Sequence, residues 1–127
     1  MNNFSKLMVL MAALALSACA QLGAKKKEPE IQARIDTGST NYLNCMKAYA
    51  TKYAAVEDSA TILVEGAGVE CSDLLQLVEA DMRELLTMKY MSKSYQTKVL
   101  AEQLLSLEKQ ARAEVVNTVV KTRSGEL

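Results

Sequence analysis

Three cysteines carry the most distinctive chemistry in this 127-residue sequence, and their surroundings differ. Cys19 follows an apolar run, whereas Cys45 and Cys71 lie further along in mixed segments. A cysteine thiol can form a disulfide, accept a covalent modification, bind a soft metal or act as a nucleophile. The chain has no histidine, the commonest general acid–base group and the commonest nitrogen ligand of metals. We therefore expect covalent attachment or disulfide formation rather than catalysis or metal binding.

The segment before the first cysteine has the organisation of a secretory signal sequence. Lys6 and the amino terminus supply positive charge, residues 7–16 read LMVLMAALAL, and Ser17 and Ala18 are small. A helix that spans a bilayer needs about 20 apolar residues, and this run is shorter. We therefore expect residues 1–18 to direct export and to be removed.

Four residues at the end of this run, Leu16, Ser17, Ala18 and Cys19, resemble the lipobox of bacterial lipoproteins. In that family the lipoprotein signal peptidase cleaves before the cysteine, the thiol carries diacylglycerol, and the new amine is usually acylated. The resemblance implies that Cys19 becomes the first residue of the mature chain and attaches it to membrane lipid. The alternative is that SACA is the cleavage site of an ordinary signal peptide.

The residue after Cys19 bears on the destination of such a lipoprotein. In enterobacterial-type lipoproteins an aspartate at this position favours retention in the inner membrane, and here the residue is Ala20. The resemblance therefore implies the cell outer membrane, with the domain facing the periplasm. Exposure on the cell surface is the alternative.

Residues 19–40 are predicted to form a flexible tether behind the lipid. They contain the only proline, the lysine run at 25–27 and two glycines, without apolar periodicity. About 20 flexible residues span on the order of 25 Å. The lysine run is interpreted as a solvated linker, with pairing to anionic lipid phosphates as the alternative.

Residues 41–127 are predicted to form an all-α domain, a small three- or four-helix bundle. The whole chain has five tyrosines, one phenylalanine and no tryptophan, so the core of this domain must be built from aliphatic residues and methionine. A first helix is expected at 41–56, capped by Thr40 or Asn41. Its apolar face is expected to hold Tyr42, Cys45, Met46, Tyr49 and Tyr53.

A second helix is expected after Asp58 or Ser59 as the N-cap. Gly66 and Gly68 weaken it, and the segment TILV alone would also suit a strand. A third helix begins at Ser72, and its apolar stripe is Leu74, Leu75, Leu77, Val78, Met82, Leu85 and Leu86. A turn near Ser92 to Ser94 is favoured over continuation into the last helix. The stripe of that helix is Val99, Leu100, Leu104, Leu107, Ala111, Val115 and Val119.

Cys45 and Cys71 are predicted to form a disulfide, because they are the even pair left in an oxidising compartment once Cys19 is lipidated. A redox role is disfavoured because the chain has no Cys-x-x-Cys motif. The segment 42–75 also resembles cysteine-paired helical segments of small uncharacterised proteins of proteobacteria. That resemblance brings no activity with it.

Other candidate sites are interpreted as structural. Met82, Met88 and Met91 are assigned to core filling rather than soft-metal binding. The tyrosines of the first helix are assigned to packing rather than to an exposed binding strip. Three acids of the third helix, interleaved with basic residues, are interpreted as a solvated surface: Glu79, Asp81 and Glu84.

The sequence therefore favours a non-catalytic envelope lipoprotein whose helical domain binds a protein partner, or a second copy of itself. Basic and acidic residues number 15 each, which disfavours a nucleic-acid partner, and no cofactor motif is present. The candidate partner surface is the row Val116 and Val120, beside Val115 and Val119; burial of both rows in one seam is the alternative. The other function considered is a small-ligand-binding or inhibitor module of the periplasm.

Overall fold

The computed structural model describes residues 2–57 and 59–126, with side chains from Lys27 onward. This part of the chain contains four helices and no strand: α1 (Asn2–Tyr53), α2 (Ala60–Glu70), α3 (Ser72–Lys89) and α4 (Lys93–Ser124). The prediction of an all-α bundle with one disulfide is confirmed. The TILV segment is helical and lies within α2.

The helices form a bundle in which α1 and α4 run side by side and α2 and α3 together return along them. At one end, Lys89 of α3 pairs with Glu28 of α1 at 2.6 Å. At the other end, the Arg123 guanidinium of α4 donates to the carbonyl oxygens of Ala54 and Glu57, in the α1–α2 connection. The bundle therefore has two chemically distinct ends, one at the α3–α4 connection and one at the α1–α2 connection.

Serine caps and a glycine define the helix ends. The Ser59 hydroxyl accepts from the Ile62 N–H, and the Ser92 hydroxyl accepts from the Tyr95 N–H, which satisfies donors that the first turns leave free. Gly125 ends α4 in the left-handed region at φ 77°. The predicted cap at Ser59 and the predicted turn near Ser92 are thus confirmed.

The core is aliphatic, with the sulfur and tyrosine groups that the sequence predicted. The α4 stripe is confirmed over its whole length, as Leu100, Leu107, Ala111, Val115 and Val119 are buried, and Val99 and Leu104 pack against them. In α3, Leu77 is an exception because it is exposed. Leu77 directly precedes the buried Val78, and successive residues of a helix point about 100° apart, so the Leu77 side chain reaches solvent.

The predicted tether requires a correction between residues 27 and 40, because this stretch belongs to α1 and packs on the bundle. Ile31 and Ile35 are buried, and each contributes roughly 1.5–3 kcal/mol of apolar transfer free energy. A glycine in a helix costs about 1 kcal/mol, so the free energy gained by burying these isoleucines exceeds the cost of Gly38. A Cβ at Gly38 would lie 2.9 Å from a methyl group of Val78, so this glycine permits close packing of α1 on α3.

The same correction moves the start of the first helix. Thr40 and Asn41 lie inside α1 and do not cap it, and the Thr40 hydroxyl instead donates to the Asp36 carbonyl. The predicted end at 56 is also shifted, because α1 ends at Tyr53.

The predicted signal sequence and lipobox, including Leu16 to Cys19, lie outside the residues whose side chains the structure describes. Within the described part of the chain, no helix combines the length and apolar character that crossing a bilayer requires.

Candidate functional site

The exposed side of α4 presents an apolar row with basic residues between its members. Leu105, Lys109, Arg112, Val116 and Val120 recur at intervals of three and four, which places them on one helical face, and all five are exposed. We call these five residues the α4 outer face. It offers both apolar contact and positive charge to a partner.

The two valine pairs of α4 have different environments. Val115 and Val119 are 0% and 2% exposed and belong to the core, whereas Val116 and Val120 are 39% and 60% exposed. The interpretation in which both rows share one internal seam is therefore wrong. The second row is available to another molecule.

The connection between α3 and α4 forms a second exposed apolar surface. Met88, Tyr90, Met91 and Tyr95 are all exposed, and Met91 is exposed completely. The rings of Tyr90 and Tyr95 meet edge to face with centroids 4.8 Å apart. We call residues 88–95 the α3–α4 corner. The sequence interpretation assigned Met88 and Met91 to the core, and for these two it is wrong, while Met82 is buried as expected.

A cavity of about 440 Å³ opens beside this corner, between the end of α3 and the start of α4. Leu86 and Leu100 form its inner wall, and Arg83, Lys93 and Gln96 are at its polar margin. Its volume is within the range of small-molecule sites.

The disulfide joins the C-terminal part of α1 to the break between α2 and α3. Cys45 and Cys71 are bonded, with Cα atoms 6.0 Å apart, and Cys71 is buried at the residue shared by the ends of both helices. A bond at this break fixes the register of two short helices against α1. The geometry suits a structural crosslink.

Two of the three acids of α3, Asp81 and Glu84, pair with α1 at the solvated surface of the bundle. Arg34 of α1 donates from Nε to Asp81 at 2.9 Å and from Nη2 to Glu84 at 2.5 Å. The hydrogen bond to Asp81, and then the charges of both carboxylates, raise the pKa of the Arg34 guanidinium. Glu79 pairs with Arg83 within α3 at 2.6 Å. The sequence pattern did not reveal this cluster because it placed Arg34 in the tether.

The tyrosines of α1 pack as predicted. Tyr42 is buried, and its burial, assisted by the nearby charge of Glu108, raises the pKa of its phenol. Tyr49 and Tyr53 are half-buried against the core, with ring centroids 4.6 Å apart. A Cβ at Gly66 would lie 2.8 Å from Cζ of Tyr49, so the glycine that weakens α2 makes room for this ring.

The described residues include no group of three His, Cys, Asp or Glu side chains placed to hold a metal ion. No family model, curated protein or solved structure matches the chain. Its function is therefore inferred from the surfaces of the molecule itself.

Proposed function

We propose that the protein is a membrane-anchored envelope lipoprotein, attached through Cys19, whose helical domain binds a protein partner without catalysing a reaction. The proposal places the chain at the cell outer membrane, with the bundle in the periplasm. The single observation that carries the binding role is the exposure of Val116 and Val120 next to the buried Val115 and Val119.

The lipobox sequence and the short apolar run before it support the anchor. A single acyl chain binds a membrane only marginally, whereas two or more give durable attachment. Lipidation at Cys19, which in lipoproteins adds three chains, would therefore hold the domain at the membrane permanently.

The α4 outer face supports a protein partner of defined chemistry. Leu105 lies three helical turns before Val116, so the apolar contacts extend along the helix, and Lys109 and Arg112 alternate with them. Apolar contact gives affinity, whereas charges at its margin give orientation and specificity. The partner we expect is a helix or strand with apolar side chains flanked by carboxylates.

Replacement of Cys19 by serine tests the anchor. We expect the Cys19→Ser variant to accumulate as an unprocessed precursor that incorporates no labelled palmitate, while the parent chain is labelled and matures. A variant that still takes up label and matures normally would show that Cys19 is not the lipidation site.

Charge insertion on the α4 outer face tests the partner surface. A photo-crosslinking residue at Val120 is expected to give a discrete adduct with an envelope protein, and Val116→Glu, which repels carboxylates, is expected to abolish it. Because Val116 is exposed, the melting temperature of the Val116→Glu variant should stay close to that of the parent. The matched control carries the crosslinker at Leu77, which is exposed on α3. The same adducts at both positions, or an adduct that survives Val116→Glu, would contradict the proposal.

The cavity beside the α3–α4 corner favours one second candidate, a module that binds a small ligand. Its aliphatic wall and the nearby Arg83 and Lys93 suit an apolar molecule that carries an acidic group. Such a ligand stabilises the folded state by mass action. Medium-chain carboxylic acids should then raise the melting temperature of the parent more than that of a Lys93→Glu variant, because Lys93 is an exposed cation at the margin of the cavity. Equal melting temperatures with and without these acids would exclude this class of ligand.

A further inference from the structure

We propose that the α3–α4 corner is a membrane-contact surface, whose exposed Tyr90, Met91 and Tyr95 enter the interfacial layer of the bilayer that holds Cys19. The inference rests on the lipid anchor of the proposed function. It goes beyond that anchor because it assigns a second contact with lipid and fixes which end of the bundle faces the membrane.

The path of the chain puts this corner near the anchor. Lys27 lies beside Met88, and the next residue, Glu28, pairs with Lys89 of the corner. Lys27 follows Cys19 by eight positions, and eight residues span at most about 29 Å even when fully extended. The predicted tether of residues 19–40 would have allowed the domain to stand further away. Because α1 packs on the bundle from Ile31 onward, the corner stays close to the headgroups.

The exposed side chains of the corner are of the kinds that favour a membrane interface. Tyrosine is enriched at the level of the headgroups, where its ring meets apolar groups and its hydroxyl meets water. Tyr90 and Tyr95 are paired and exposed, and Met91 between them in sequence is completely exposed. Moving a flexible apolar side chain such as methionine out of water lowers the free energy. Together with Met88, four exposed apolar residues thus occur within residues 88–95.

Basic residues surround these side chains. Lys27 and Lys93 are exposed beside the corner, and the sequence adds Lys25 and Lys26 on the side of the anchor. The acidic residues of the same region are Glu28, which pairs with Lys89, Glu84, which pairs with Arg34, and Glu30. Each lysine near an anionic leaflet contributes about 1 kcal/mol of attraction. The opposite end of the bundle has no such relation to the anchor.

A low affinity of the α3–α4 corner for lipid is sufficient to keep it on the bilayer. Once the chain is anchored, contact between the corner and the bilayer is intramolecular, and short linkers give effective concentrations of about millimolar. A modest apolar and electrostatic attraction is therefore enough to hold the bundle against the membrane.

The absence of tryptophan from the chain allows a direct test with a single fluorescent reporter. The full chain is produced in a bacterium that processes lipoproteins and is reconstituted in vesicles of phosphatidylethanolamine and phosphatidylglycerol. Met91→Trp places the reporter at the corner. Val56→Trp is the matched control, because Val56 is also largely exposed but lies at the opposite end, in the α1–α2 connection. Palmitate labelling of the same samples reports the anchor separately.

We expect the Met91→Trp emission to shift to shorter wavelength and to be quenched by lipids that carry a spin label high on the acyl chain. Side chains at an interface lie roughly 5–10 Å below the surface, within reach of such a label. The Val56→Trp emission should stay at the wavelength of a water-exposed indole, without quenching. The addition of Lys27→Glu and Lys93→Glu should reduce the quenching of Met91→Trp.

The contrary outcomes are distinguishable. Palmitate-labelled protein whose Met91→Trp reporter remains water-exposed would overturn the membrane contact and leave the anchor intact. A shifted emission that the spin-labelled lipids do not quench would mean that the corner meets protein, either a second copy or a partner, and would also overturn it. Failure of labelling at Cys19 would overturn the anchor and, with it, this inference.

Discussion

At the scale of single residues, two glycines of this bundle, Gly38 and Gly66, serve packing. Gly38 and Gly66 stand where a side chain would meet Val78 and the Tyr49 ring, respectively, whereas a Cβ at Gly68 would have no neighbour within 4 Å. Sequence patterns treat all three as helix-weakening residues, because the neighbour that a glycine accommodates comes from another helix. The same residue type therefore has opposite effects on stability two positions apart.

Alanine substitution separates these effects. We expect Gly66→Ala to destabilise the fold by about 1–3 kcal/mol, because a new methyl group displaces the Tyr49 ring from its packed position. Gly68→Ala should stabilise it by about 0.5–1 kcal/mol, because alanine favours the helix and the added methyl group meets no neighbour. Urea denaturation of both variants gives the two free energies. Equal effects of the same sign would show that Tyr49 does not constrain α2.

At the scale of the helices, the sequence predicts a helix well when its own apolar residues define the buried face, and poorly when the stabilising contacts come from another helix. The stripes of α3 and α4 were predictable because each helix carries enough apolar residues at intervals of three and four to define its own face. The stretch 27–40 was not, because Pro29 and Gly38 give local signals for a loop and only Ile31 and Ile35 mark the buried side. Its helical state depends on packing of Ile31 and Ile35 in the core, with a smaller contribution from the carboxylates of α3 that bind Arg34, about 50 residues away in the sequence.

The candidate surfaces show the same division. The exposed row of α4 was predictable because Val116 and Val120 exceed what one helix face can bury. The α3–α4 corner was not, since Met88 and Met91 continue the apolar pattern of α3 past Lys89, where the helix ends. A turn that retains apolar residues, such as YMSKSY, is the signal that would have identified it.

The cystine governs the two short helices α2 and α3, and its removal should be costly. A crosslink between residues 26 positions apart contributes roughly 3–4 kcal/mol in the chain-entropy model. We expect the double variant Cys45→Ser and Cys71→Ser to melt more than about 10 °C below the parent, a shift typical of that energy in a small domain. Circular dichroism against temperature measures it, and reduction of the parent should give a similar loss. An unchanged melting temperature would mean that the break between α2 and α3 is held by packing alone.

At the scale of the whole molecule, the ionisable groups with a clear shift all lose stabilisation in alkali. The hydrogen bond with Glu28 raises the pKa of Lys89, a hydrogen bond with Tyr53 raises that of Lys52, and burial raises that of Tyr42. A raised pKa in the folded state means that folding favours the protonated form. This stabilisation is complete below about pH 10, the ordinary range of lysine and tyrosine, and disappears as the pH rises through the folded-state values.

The melting temperature should therefore fall above about pH 10 as these groups lose their protons. Lys89→Met, which has no proton to lose, should make the decline shallower, while Lys98→Met, on exposed α4 surface, serves as the control for loss of a lysine. A decline of the same slope in all three proteins would show that the pair with Glu28 has no part in it.

The length of α4 also determines how far Val116 lies from the α3–α4 corner. Val116 lies 23 residues beyond Lys93, which at 1.5 Å per residue is about 35 Å along the bundle. With the α3–α4 corner resting on lipid as proposed, Val116 of the α4 outer face would stand at about that distance from the bilayer, and a partner must extend as far to meet it. Because α2 and α3 together span the same length, an insertion in α4 alone would break the packing instead of raising this face. In the proposed arrangement the molecule would act as a spacer of fixed length between the bilayer and the proposed protein partner.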